Sequence, residues 1–140
     1  MDVFTQELNN KVRKFLVTVD QYSDYFELDL LKDLTPKTLI ECCKMNFSRY
    51  GIPEKICSDN GTNFASVEFR RFCNSWEIQH TTSSPHHPKG NGKAESAVKI
   101  AKRLIKKAIE DRRDIWYSIL HWRNTPDSTR EIHEPEYRYP

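Results

Sequence analysis

The apolar positions along the chain change period several times, and each change marks an element. Phe15-Leu-Val-Thr-Val-Asp20 is dense in β-branched and aromatic residues and reads as a strand. Tyr25-Phe-Glu-Leu-Asp-Leu30 alternates apolar and acidic side chains, as a second strand with one solvent face does. Met1 to Phe4 reads as the stub of an earlier strand, with Leu8-Asn9-Asn10-Lys11 in the connection that follows it. Thr35-Pro36 places a capping hydroxyl before a proline at the first helical position. The helix it starts runs to about Tyr50 and stops at Gly51, with Pro53 beyond. Lys55 to Ser58 is a short strand that delivers Asp59 into the turn Asn60-Gly61. A helix over roughly Ser66 to Trp76 and a strand over Ile78 to Thr82 follow. Ser83 to Gly92 is turn-rich, and Lys93 to Glu110 then forms a long helix, with a further helix over Asp114 to Trp122. This order predicts an α/β layered domain with helices packed on a mixed sheet, without an internal repeat or a linker to split it.

Composition narrows this picture only slightly. A chain of 140 residues suits one domain with a single core. No apolar run approaches the roughly 18 residues needed to span a bilayer. The start, Met-Asp-Val-Phe-Thr-Gln-Glu, lacks the basic and apolar segments of a signal peptide. No membrane partner is therefore expected. The four cysteines (Cys42, Cys43, Cys57, Cys73) form no C-x-x-C pair, and His86-His87 lie in a proline-bounded loop without a partner at ligand spacing. Packing thiols are expected rather than a zinc site. Trp116 and Trp122 suit either a helix-packing core or a surface between copies, and core is the reading taken.

Charge becomes informative through its distribution. The formal net of +2 is small, but Lys93 to Lys107 holds six cations (Lys93, Lys99, Lys102, Arg103, Lys106, Lys107) against one acid, Glu95. At helical spacing Lys99, Lys102 and Lys106 follow Glu95 along one face, with Arg103 beside them. Ala94, Val98, Ala101, Ile105 and Ala108 mark the opposite, packing side. An exposed Glu-Lys pair explains Glu95 and Lys99 but not the whole arrangement. One face offers a carboxylate for a metal ion at one end and cations for phosphates along its length. Asp59, at the C-terminal end of a strand and followed by a glycine, suits a magnesium ion, which prefers oxygen ligands. Between Asp59 and Glu95 lie 35 residues. An Asp-Asn-Gly turn alone would carry no chemistry.

Taken together, Ser58-Asp-Asn-Gly-Thr-Asn-Phe64, Ser83-Ser-Pro-His-His-Pro-Lys-Gly-Asn-Gly-Lys-Ala-Glu95 and Arg123-Asn-Thr-Pro126 resemble the integrase core of gypsy-class long-terminal-repeat retrotransposons. They resemble retroviral integrases more distantly. Phe15 to Ser23 is similar to the second strand of that family, and the resemblance covers about Met1 to Pro126. It implies a ribonuclease-H-like fold, with a five-stranded mixed sheet flanked by helices. The domain would span residues 1–126, shortened at its first strand, with a tail over 127–140. A triad of two aspartates and a glutamate would hold two magnesium or manganese ions. Asp59 matches the second aspartate and Glu95 the glutamate. Asp2 matches the first, with Asp20 the runner-up because it follows an obvious strand. Asn63, Pro85, Gly90, Asn91, Lys99, Lys102, Arg103 and Lys106 are the implied DNA contacts. The implied activity is DNA integration by metal-dependent phosphoryl transfer, on element ends and target DNA, by a homo-oligomer working in the nucleus. Two alternatives stand beside it. One is a catalytically silent or host-adopted core that binds DNA or assembles. The other is a different ribonuclease-H-like nuclease or transposase, which the 35-residue gap disfavours.

Overall fold

The structure is a computed structural model, and it describes residues 1–82 and 91–125. Its first unit is a hairpin, β1 (Asp2–Leu8) and β2 (Lys11–Val19), joined by Asn9 and Asn10 with φ of 53° and 66°. Two successive left-handed residues give the two-residue hairpin turn whose twist matches that of the strands, and asparagine tolerates that conformation. The turn allows pairing as far as Leu8–Lys11, so β1 runs past the stub expected at Phe4. The polar residues Thr5, Gln6 and Glu7 are held by the ladder rather than by the core. Strand β3 (Phe26–Leu31) pairs antiparallel with the other edge of β2.

Helix α1 (Pro36–Tyr50) starts where Thr35 accepts the Thr38 amide, and it ends at Gly51 with φ of 98°. Ser66 caps α2 (Val67–Ser75) in the same way, through the Phe69 amide. Between these helices lies β4 (Lys55–Ser58), which pairs in parallel with β5 (Gln79–Thr82). The long α3 (Gly92–Glu110) and then α4 (Ile115–Asn124), capped by Asp114, complete the described elements.

Phe15, Leu16 and Val17 of β2 are all fully buried, so this strand is covered on both faces. Leu16 packs with Leu39, Cys43 and Phe47 of α1 and Phe69, Phe72 and Cys73 of α2. Phe15 and Val17 face the other way, against Ala97, Val98, Ala101, Ile105 and Ala108 of α3 and Ile115 and Ile119 of α4. The result is a three-layer α/β/α arrangement. Trp122 packs on Phe26, as the core reading expects, whereas Trp116 is 45% exposed on the outer side of α4.

The sheet departs from the single five-stranded one implied by the resemblance. Among the described residues the strands form two ladders, β1-β2-β3 and β4-β5. They meet where the Met1 nitrogen donates to the Cys57 carbonyl at 2.8 Å. Thr18 and Val19 on one side and Lys55 and Ile56 on the other line a cavity of about 380 Å³. Thr18 Oγ1 and Asn46 Oδ1, on residues lining this cavity, are buried without a hydrogen-bond partner. No helix among the described residues is long and apolar enough to cross a membrane.

Burial also governs the thiols. It pushes Cys42 upward, lifts Cys43 to about 12 with the neighbouring Cys73 adding to the effect, and lifts Cys73 to about 11. At pH 8 the Cys43 and Cys73 thiolates are then roughly one part in a thousand or fewer. A thiol reagent such as dithionitrobenzoate is expected to label these two residues only after unfolding in denaturant. Rapid labelling of either in the folded chain would contradict this packing.

Candidate metal-binding site

Strand periodicity sets the direction of the first carboxylate. Successive side chains of β1 alternate between faces: Met1 and Val3 pack on the α1–α2 side and Phe4 on the α3–α4 side. Asp2 shares the parity of Phe4, and its ladder partner Val17 also belongs to the α3–α4 core. The Asp2 carboxylate accepts the Val3 amide at 2.9 Å. Burial pushes its pKa upward, and the nearby charge of Asp59 raises it further. The repulsion between the two carboxylates is the force that a cation would relieve. The structure therefore brings together Asp2 and Asp59, which are 57 positions apart in the sequence.

Asp59 itself is aimed by a turn. Its Oδ1 accepts the Gly61 amide at 3.0 Å, and a Cβ built on Gly61 would lie 3.0 Å from that same oxygen. A side chain at this position would press on the carboxylate, which would have to give by a few tenths of an ångström. On the inner side, Ser58 is fully buried; its hydroxyl donates to the Asp59 carbonyl at 2.9 Å and meets His80 Nε2 at 2.7 Å. His80 packs edge-on against Phe69, with centroids 5.0 Å apart. Sequence reading did not single out His80. Its role depends on the parallel register Ile56–His80, which no spacing rule reveals.

The start of α3 is tied to the same corner. Asn91 is 2% exposed; its Nδ2 donates to the Met1 carbonyl at 3.1 Å and its Oδ1 accepts from the Met1 nitrogen at 3.4 Å. Expected among the DNA contacts, Asn91 instead faces inward and docks the helix on β1. Its side chain, so engaged, makes no capping bond. Lys93 reaches the β2–β3 turn, with Nζ 2.7 Å from Asp24 and 2.5 Å from the Gln21 carbonyl. Glu95 is exposed in the first turn of α3. The structure does not gather it with the aspartates: no group of three metal-ligating side chains occurs among the described residues.

The remaining expected residues divide. Lys99, Lys102, Arg103 and Lys106 are exposed on α3, and the Lys102 ammonium also stands 5.7 Å from the Phe4 ring centre. Asn63 is half-buried beyond the Asp59 turn, where its carbonyl accepts the Ser66 hydroxyl. Pro85, Gly90, His86 and His87 lie outside the described residues. Asp20, the runner-up for the first carboxylate, closes the β2–β3 turn instead. It accepts the Tyr22 amide at 3.1 Å and the Ser23 hydroxyl at 2.8 Å.

Two adjacent carboxylates at the end of a ladder offer hard oxygen donors of the kind that magnesium and manganese take. Asp2 and Asp59 thus fit one part of the expected ligand set, and Glu95 is not brought to them among the described residues.

Comparison with known proteins bears on the same region. The family described as integrase core domain matches residues 1–88. The chain is 39% identical over 118 residues to the uncharacterized protein K02A2.6 of Caenorhabditis elegans, covering 81% of this chain and 9% of that protein. It is 35% identical over 96 residues to a Gag-Pro-Pol polyprotein of human T-cell leukemia virus 3, covering 69% of this chain and 7% of the polyprotein. The chain thus spans less than a tenth of the length of these relatives. Among solved structures, the HTLV-2 integrase catalytic core domain in complex with magnesium aligns with a TM-score of 0.69 at 28% identity, over 86% of this chain and 77% of that one. The simian T-cell lymphotropic virus intasome aligns with a TM-score of 0.80 at 24% identity, over 99% of this chain and 54% of that one, a likeness of fold.

If the Gly61 turn aims Asp59, then Gly61→Ala should lower manganese affinity about tenfold, as loss of support around a ligand commonly does. Unfolding in urea should show less than about 1 kcal/mol of lost stability, because the site is at the surface. Titration calorimetry that found affinity unchanged would remove the turn from the site.

Proposed function

The chain belongs to the integrase core domain family, and on that premise we propose that it performs DNA integration by phosphoryl transfer dependent on magnesium or manganese. The observation that carries this reading is the adjacency of the Asp2 and Asp59 carboxylates. Asp2, Asp59 and Glu95 are the residues that would hold two ions. Such ions, when bound, lower the pKa of a water and stabilise a leaving oxygen. The protein's own groups supply position. Gly61 and Ser58 orient Asp59, Asn91 holds α3 against β1, and no covalent protein nucleophile takes part.

The substrates under this proposal are the ends of an element's DNA, first trimmed and then joined to target DNA. Lys99, Lys102, Arg103 and Lys106 track its phosphates, with Asn63 and the loop residues Pro85 and Gly90 as further contacts. The motifs around Asp59 and Glu95 support a gypsy-class element as the source, and the chain would then act in the nucleus. The HTLV-2 core is described in dimeric and trimeric forms. A homo-oligomer is proposed here too, and the exposed Trp116, Tyr117 and Leu120 of α4 offer an apolar face for it.

A second reading, a core that binds DNA or assembles without catalysis, is favoured by one observation: Glu95 stands exposed and apart from the aspartate pair. The two readings separate in an assay of manganese-dependent strand breakage and joining on branched DNA. Asp2→Asn, Asp59→Asn and Glu95→Gln should each lower activity at least about a hundredfold, while Asp20→Asn retains it. Asp2→Asn should also raise the metal-free melting temperature near pH 8, since it removes one of two repelling charges. No activity in a folded wild type that still binds DNA would favour the silent core.

The basic face has its own test. Charge reversal of Lys99 and Lys102 together should weaken DNA binding and reduce the slope of log affinity against log salt by about 2. An unaltered slope would mean that this face is merely solvated.

A further inference from the structure

We propose that His80 is a positioning residue for Asp59, acting through Ser58 to set the turn from which the carboxylate is presented. This rests on the reading of Asp2 and Asp59 as cation ligands.

The hydrogen-bond roles follow from proton counting. A carbonyl oxygen can only accept, so the single proton of Ser58 is given to the Asp59 carbonyl at 2.9 Å. In the proposed chain the ring supplies the proton of the 2.7 Å contact, from the tautomer protonated at Nε2. Full burial of Ser58 suits a relay rather than attack on a substrate. The ring donates to the hydroxyl rather than accepting from it, and Ser58 has no surface through which to reach a substrate. What remains is a chain of two donors ending on the main chain of Asp59.

The surroundings keep that chain rigid. Phe69 of α2 is fully buried and meets the imidazole edge-on at 70°. In the parallel ladder Ile56 lies beside His80, so Ser58, two residues on, projects from the same face. Burial pushes the imidazole below its ordinary pKa and so favours the neutral ring. Asp59 is thus held twice, at its carbonyl from inside by Ser58 and at Oδ1 from outside by the Gly61 amide.

The test uses the full chain with three variants. His80→Met removes the donor but keeps bulk, Ser58→Ala removes one oxygen, and His80→Gln restores an N–H at similar reach. In metal-free protein, the amide resonances of Asp59 to Gly61 should move in His80→Met and Ser58→Ala and return in His80→Gln. Manganese affinity, read by paramagnetic broadening, should fall about tenfold in the first two and stay within about threefold in the third. The double variant should lose no more than either single one, because both break the same chain. Unmoved turn resonances with a lowered melting temperature would make His80 a packing residue only and overturn the proposal. So would a His80→Gln that behaves like His80→Met. If the wild type binds no manganese, the cation reading fails, and the metal-free resonances still decide the role of His80.

Discussion

The arrangement depends on one constraint, the burial of β2 on both faces. Phe15, Leu16 and Val17 are consecutive, fully buried and directed alternately to opposite sides. A strand of this kind needs an apolar layer above and below, which is why the helices divide into α1–α2 and α3–α4. The ladder then imposes the same parity on its neighbour. Asp2 pairs with Val17 and Val3 with Leu16, so the carboxylate is committed to the face covered by the long basic helix. A shift of one residue in that register would send Asp2 to the opposite layer.

The candidate site is where local preferences are set aside. Two carboxylates lie together, one half-buried, and burial and the charge of Asp59 both disfavour the ionised form of Asp2. Around them the supports are strong: a glycine where a Cβ would press on the Asp59 carboxylate, a buried serine bonded to a histidine, and a buried asparagine bonded to both ends of one residue. Sequences tend to agree with their fold at every level except at functional sites, and the aspartate pair is such an exception. Membership of the integrase core domain family gives the exception a chemical context.

Asn91 illustrates how resemblance and geometry differ in what they can assign. Its place in a motif suggested a contact with nucleic acid. Its side chain instead joins α3 to the first strand, four residues before Glu95, and so sets the approach of the helix. The basic face of α3 is a different case. Lys99, Lys102, Arg103 and Lys106 are exposed where the helical period puts them, because a regular helix transmits spacing directly into geometry.

Much of the fold was legible in the sequence because its signals are local. Thr35-Pro36, Ser66, Gly51 and the Asn9-Asn10 pair act within one turn of the chain, and each forms the cap or turn that its chemistry favours. The apolar period of α3 was equally plain, as was the strand that delivers Asp59. What only the tertiary structure decided were the relations between distant segments. It closed a turn with Asp20 and put Asp2 beside Asp59, left Glu95 apart, turned Asn91 inward, and divided the strands into two ladders. It also brought His80 to Ser58. These depend on strand register and on where β1 meets β4, which are set by packing across the whole core. A residue's own neighbours in sequence carry no record of them.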